Sequence, residues 1–329
     1  MTSAMSAGHA ADFKRPAVFQ IHLIGDQLLS LPAMRALASL FPENLQLLLG
    51  EGMLSFYYRG LPVSEPVRVR WEDYSTGCVD RIVGASKPCD LFLSLSRFAM
   101  PFAAKLARSM GATQSIGLSE IFDEPVRVAP RTHVFEQLFA VPQALDPSLR
   151  FDAFCEPPEF SPAAEAAARR FVASIRQQGQ RILLVHPETE PERTWPLNRF
   201  AWVIDRFLKE RPEYVVLVSS LAPFDFCVND PRVIRIDFHL ELAFALVRHV
   251  DLFLGVNSCF LHAADLFRVP GVALFGSTQP WEWGFRLSPG GRHIVESSMA
   301  DIRREQVLET ILDIDGTLDR HPSSIPTAS

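Results

Sequence analysis

The residues able to do chemistry in this chain sit just past apolar runs. Asp26 follows VFQIHLI (Val18 to Ile24) and Gly25. A carboxylate at a strand's carboxyl end, beside a helix start, can act as a general base. The competing reading is a helix N-cap, a place that Asp fills well, and spacing alone favours the cap. A second group lies in the loop HPETEPERTWP, His186 to Pro196, between a strand and a helix. Its Thr189 and Arg193 can hold a phosphate through hydroxyl and guanidinium, with Trp195-Pro196 seating the helix. The plainer alternative is a solvated loop with a packing Trp. The third group lies in DLFLGVNSCFLHAADLFRVPGVALFG, Asp251 to Gly276. Asn257, Ser258 and Cys259 end its first apolar run and open a helix, which points to a phosphate site, because helix-start amides project outward there. His262, on that helix, reads as a ligand contact or as a satisfied structural histidine.

The elements that must position these residues are strands and helices in alternation. Asp251 to Gly276 is itself a strand–helix–strand unit of about the minimum crossover length, and such units build parallel sheets. Parallel sheets bind ligands at the carboxyl ends of their strands. Apolar runs predict strands at 18–24, 45–49, 90–95 and 115–118, with helices at 27–40 and 101–110. Prolines crowd the stretch from Val141 to Pro162, which is therefore expected to be a linker. Beyond it the alternation resumes, with strands at 181–186, 214–219, 233–236, 251–256 and 272–275. Helices are expected at 163–177, 197–210, 240–249 and 301–314. The expected organisation is a disordered leader over 1–16, an α/β domain over 17–150 and a second over 151–329. Both are doubly wound, with a site in the cleft between them.

Composition narrows the function classes. At 329 residues, 48% of them hydrophobic, the chain can bury a core in each domain. The net charge of -6 speaks against nucleic acid as the main partner. The five cysteines (Cys78, Cys89, Cys155, Cys227, Cys259) are scattered, so neither a metal site nor any cofactor is expected. No G-x-G-x-x-G follows the first strand of either domain, which argues against a nicotinamide dehydrogenase. With no signal-like leader and no apolar run of spanning length, the protein is expected to be cytoplasmic, with at most peripheral membrane contact. LDIDGTLD, Leu312 to Asp319, imitates a phosphatase nucleophile motif, but it sits at a helix end with no domain after it and is read as coincidence.

Taken in order, IGDQLLSLPAMRAL, HPETEPERTWP, NSCFLH, Pro270 and the turn Phe275-Gly276-Ser277-Thr278 resemble the motifs of glycosyltransferase family 9, the ADP-heptose:lipopolysaccharide heptosyltransferases. The resemblance covers roughly residues 17 to 315. It implies a GT-B fold of two Rossmann-like domains and a metal-independent, inverting transfer from a nucleotide-diphosphate sugar. The donor would carry heptose on ADP, and the acceptor hydroxyl would belong to lipopolysaccharide core or a related glycan or metabolite. Asp26 then corresponds to the catalytic carboxylate. Thr189 and Arg193 correspond to residues that bind the donor diphosphate, with Arg193 where the family has Lys; Ser258, Cys259 and the helix start match the diphosphate cradle, and His262, among the donor-binding residues, matches the family His nearby. Asn257 stands where the family has an Asp facing sugar hydroxyls, and Cys259 stands in place of Gly. Those two departures motivate the alternative of a catalytically silent nucleotide-sugar-binding or scaffold relative. Trp281 and Trp283 suit stacking on a base or sugar, or packing. Arg59, Arg68 and Arg70, among Glu51, Glu65, Glu72 and Asp73, read as a mixed solvated surface.

Overall fold

The computed structural model describes residues 10–42, 45–176, 179–220 and 229–320. The chain divides into two compact units, Met1–Glu159 and Phe160–Ser329. In the first unit the strands are β1 (Pro16–Gln20), β2 (Gln46–Gly50), β3 (Val67–Val69), β4 (Leu91–Ser94), β5 (Gln114–Gly117) and β6 (Glu124–Pro125). Its helices are α1 (Ile24–Leu29), α2 (Leu31–Leu40), α3 (Trp71–Thr76), α4 (Asp80–Ala85), α5 (Met100–Ser109) and α6 (Val134–Leu145). The second unit carries β7 (Arg181–His186), β8 (Tyr214–Ser219), β9 (Val233–Ile236), β10 (Leu252–Val256), β11 (Gly271–Phe275) and β12 (Gly291–Val295). Around them lie α7 (Pro162–Ile175), α8 (Leu197–Glu210), α9 (Leu240–Val247), α10 (Cys259–Leu266), α11 (Pro280–Trp283) and α12 (Arg304–Arg320).

Each sheet is parallel, with orders β3-β2-β1-β4-β5-β6 and β12-β11-β10-β7-β8-β9. The doubly wound expectation therefore holds in both units. Central strands such as LLV in β7 and LFLGV in β10 are buried on both faces, as parallel sheets covered by helices require. In each sheet the chain runs outward in one direction and then crosses to the other side. The crossing point lies between β1 and β4 in the first unit and between β7 and β10 in the second. At such a point the loops above neighbouring strands diverge and leave a crevice. Helix α8 lays Phe200, Val203, Ile204 and Phe207 on the second sheet beside Val307, Ile311 and Ile314 of α12.

The structure departs from the sequence reading in several places. Residues 1–9 of the expected leader lie outside the described residues. The rest of that leader is ordered: Ala10–Asp12 form a 3-10 turn, and the amides of Lys14 and Arg15 donate to the Asp90 carboxylate at 3.0 and 2.8 Å. The helix expected over 27–40 is two helices. The first begins at Ile24, and Pro32 restarts the second at its own first turn, where a missing amide is tolerated. The expected linker is entered by α6, which runs on through Pro142; burial of Leu138, Phe139, Val141 and Leu145 outweighs the proline. LDIDGTLD lies within α12, and its Asp315 is a structural carboxylate. Fully buried, it accepts a 2.6 Å hydrogen bond from the Tyr214 hydroxyl and ion-pairs with Arg181 (2.8 Å) and Arg211. Among the described residues no helix is long and apolar enough to cross a membrane.

Candidate functional site

Two of the expected site loops leave neighbouring strands at the crossing point of the second sheet. His186 ends β7 opposite Gly255 of β10 in register. A Cβ on Gly255 would stand 2.9 Å from the His186 carbonyl oxygen and 2.5 Å from Phe253 Cζ, so only glycine fits this close approach. From Val256 the chain enters Asn257, which is buried and whose Nδ2 donates to Thr278 Oγ1 at 3.0 Å. That bond ties the loop after β10 to the loop after β11, with the Thr278 hydroxyl oxygen as the acceptor. Ser258 is the N-cap of α10, yet its side chain caps no amide, and its buried hydroxyl has no hydrogen-bond partner. A buried polar atom left in this way calls for an explanation, and a bound water, ion or ligand is one. The Cys259 thiol is pushed up to about 12 by burial, so it is not a thiolate nucleophile at neutral pH. His262 is buried one turn further along, its ring 6.3 Å from that of Trp283. Trp281 is exposed.

His186 itself was not among the expected site residues, although it opens the loop. Its ring stacks on Phe260 at 4.3 Å, and its Nδ1 lies 2.9 Å from the Ser219 carbonyl oxygen. A carbonyl only accepts, so the proton sits on Nδ1. Burial pushes the group from 6.5 down to about 4. The unfolded chain therefore takes up a proton below pH 6.5 that the folded chain refuses. Its contribution to stability is intact above 6.5 and is lost as the pH falls towards 4, amounting to about 3 kcal/mol in all. Urea unfolding at pH 7.5 and 4.5 is expected to show this loss, and His186→Gln is expected to shrink it by roughly 2 kcal/mol. An unchanged difference in the variant would remove His186 as its source.

The loop after β7 is more closed than its sequence suggests. Arg193 ends a 3-10 turn and pairs with Glu190 at 2.8 Å, while Thr189 is half-buried. The hydroxyl of Thr194 donates to the carbonyls of Thr189 and Glu190 at 3.2 and 3.1 Å, which fixes the turn. Trp195 is fully buried against Phe200 at 4.8 Å and donates to the Ile302 carbonyl, so it seats α8 as expected. Glu188 accepts from Ser220 at 2.7 Å and brings to this edge a carboxylate that sequence reasoning passed over. Asp265 was passed over too. Its buried carboxylate accepts from the amides of Arg286, Leu287 and Ser288 at 2.8–2.9 Å and anchors the far end of α10. Burial pushes it up to about 6 against the pull of those amides.

Asn257, Ser258, Cys259 and His262 thus share one strand end and helix start, and Thr189 and Arg193 lie in the loop above the adjacent strand. Asp26 belongs to the first unit. It is buried in the first turn of α1, whose N-cap is Leu23, so the capping role is excluded. Among the described residues no group of three or more His, Cys, Asp or Glu side chains is placed to hold a metal ion.

Two Rossmann-like units, each wound about a parallel six-stranded sheet, make this the GT-B fold of glycosyltransferases. The solved structures it resembles include a glycosyltransferase family 9 protein from Veillonella parvula (TM-score 0.73, 18% identity, 94% of this chain and 99% of that one). Another is ADP-heptose lipopolysaccharide heptosyltransferase II of E. coli (TM-score 0.68, 16% identity, 93% and 99%). A third is E. coli heptosyltransferase WaaC with ADP (TM-score 0.67, 14% identity, 91% and 99%). The resemblance drawn from the motifs is therefore matched by a likeness of fold along nearly the whole chain. No protein-family model and no curated protein matches the sequence.

Proposed function

We propose that this chain is an inverting glycosyltransferase that moves a sugar, heptose by family default, from an ADP-linked donor to an acceptor hydroxyl without a metal ion. The acceptor belongs to lipopolysaccharide core or a related glycan or metabolite. The observation that carries this reading is the buried, unpartnered hydroxyl of Ser258 at the start of α10. A donor phosphate placed there meets the helix-start amides and the positive end of the helix dipole. Arg193 supplies a cation once it leaves Glu190, an exchange that is easy because that pair is half open to water and weak. Asn257 offers its carboxamide to a sugar hydroxyl. Asp26 takes the proton of the acceptor hydroxyl as its oxygen attacks the anomeric carbon. The bond from that carbon to the diphosphate breaks, and the electron pair leaves on the phosphate oxygen, which amides and guanidinium stabilise. ADP is the nucleotide of choice because a structural neighbour was solved with it.

A thermal-shift titration with ADP, UDP, GDP and TDP tests the donor. ADP at about a hundredfold its Kd is expected to add about 2.7 kcal/mol to stability. The other nucleotides should add less, and Ser258→Val should blunt the ADP response. A larger response to another nucleotide would replace ADP in the reading; no response to any would remove the donor site.

A further inference from the structure

A cavity of about 850 Å³ opens at the carboxyl edge of the first sheet. Its walls are the residues after β1 (Ile21, His22, Leu23), those after β2 (Gly50 to Met53), Trp71 and Tyr74 of α3, and the stretch from Phe98 to Phe102. The lining is apolar and rich in aromatic rings. Leu23, Trp71 and Phe98 leave 64%, 65% and 52% of their surface in water, an exposure that such side chains rarely keep without use. The Trp71 ring meets that of Tyr74 edge-on at 4.8 Å.

His22 is the polar feature of this wall. It is 9% exposed, and both ring nitrogens are buried with no hydrogen-bond partner. Burial, helped by the charge of Arg97, pushes it down to about 3, so the imidazole is neutral and offers one donor and one acceptor. An orphaned pair of this kind is costly, and because neither nitrogen has accessible surface, a ligand hydroxyl meets one only once the ring turns towards the cavity. The charges nearby are already engaged. Glu51, the one charged residue lining the cavity among the described residues, faces Arg70 at 3.8 Å. Arg68 donates to the carbonyls of Gly50 and Met53 at 3.4 and 2.7 Å. Among the described residues no Lys or Arg lines the cavity.

We propose that this cavity holds the acceptor and that, of the acceptors named above, it is a metabolite rather than a glycan: an uncharged molecule with a flat apolar body and a hydroxyl placed on His22. The proposal rests on the glycosyltransferase reading above. Leu23 of the cavity wall is also the N-cap of α1, and Asp26 follows in the first turn of that helix. An acceptor seated here lies at the crossing point between β1 and β4, where this sheet type takes its ligands. The size suits a small aromatic molecule, since drug-sized pockets run from roughly 300 to 1,000 Å³. Stacking against Trp71 and Phe98 supplies attraction, and His22 supplies orientation.

Isothermal titration calorimetry on the full chain tests this with 2-naphthol, 2-naphthoate and methyl glucoside. Saturable binding of 2-naphthol is expected, with the anionic and the wholly polar probe each weaker by about tenfold. His22→Leu is expected to weaken naphthol binding by roughly tenfold, and His22→Gln, which keeps a donor and an acceptor, to recover most of it. Trp71→Ala, at an exposed position that the fold tolerates, should weaken it several-fold. Absence of saturable naphthol binding, preference for naphthoate or glucoside, or indifference to both positions would overturn the proposal. The ADP titration on the same protein separates the two failures. An ADP response without naphthol binding sinks the acceptor proposal alone. Naphthol binding that depends on His22 without an ADP response keeps the cavity and sinks the transfer reading.

Discussion

Asp26→Asn is expected to lower turnover by roughly two to four orders of magnitude while leaving the ADP-induced thermal shift unchanged. The carboxamide has the size of the carboxylate and fits the same buried place in the first turn of α1, so the fold loses little. What it loses is basicity, because an amide does not take up the acceptor's proton at neutral pH. In the proposed reading the nucleotide meets residues of the second unit, which the substitution does not touch. The two readouts therefore separate chemistry from donor binding, whereas a misfolded variant would lose both. Product formation measured with donor and acceptor saturating is the deciding quantity. Turnover equal to that of the parent chain would take Asp26 out of the mechanism, whatever the family resemblance implies.

Asp315→Ala should destabilise the second unit by about 3–5 kcal/mol, the cost of breaking a buried ion pair from one side. The carboxylate has no exposed surface, and it holds Arg181 and Arg211 while receiving the Tyr214 hydroxyl. Its removal strands two guanidinium groups and leaves a buried phenol without its acceptor. The neighbouring Asp313 provides the control. It meets Arg292 at 3.4 Å with both side chains about half exposed, and Asp313→Ala should cost less than about 1 kcal/mol. Urea midpoints followed by circular dichroism read both variants. Equal midpoints for the two would sink the idea that Asp315 fastens α12 to the sheet.

Much of the second unit was legible in the sequence, because its central strands are continuous apolar runs between turn residues. RILLVH and YVVLVS became β7 and β8 with the bounds expected, and so did α8, whose apolar face is unbroken. Three short edge strands were not legible, although β9, at the other edge of the second sheet, was expected at its observed bounds. VRV in β3, EP in β6 and GRHIV in β12 each pair along one side only, and they carry too few apolar residues to announce a strand. The proline-rich stretch misled for a related reason: local propensity disfavours a helix through Pro142, but tertiary burial decides. In the site, the position of Asn257 to Cys259 at a strand end followed from the pattern. The pairing of Arg193 with Glu190 and of Asn257 with Thr278 did not, since each depends on a loop conformation. His22 could have been flagged as a histidine inside an apolar run, although nothing in that run tells that both nitrogens lack partners.

The Asp315 clasp also sets an order in time. Tyr214 and Arg211 precede it in the chain by 101 and 104 residues. At the roughly 5–20 residues per second of synthesis, they wait about 5–20 seconds for the carboxylate that completes them. During that interval the first unit, contiguous through Glu159, already has every residue it needs. The nascent second sheet instead carries an uncompensated pair of arginines at the edge of its core, a stage at which a chaperone or an aggregating neighbour finds it most open.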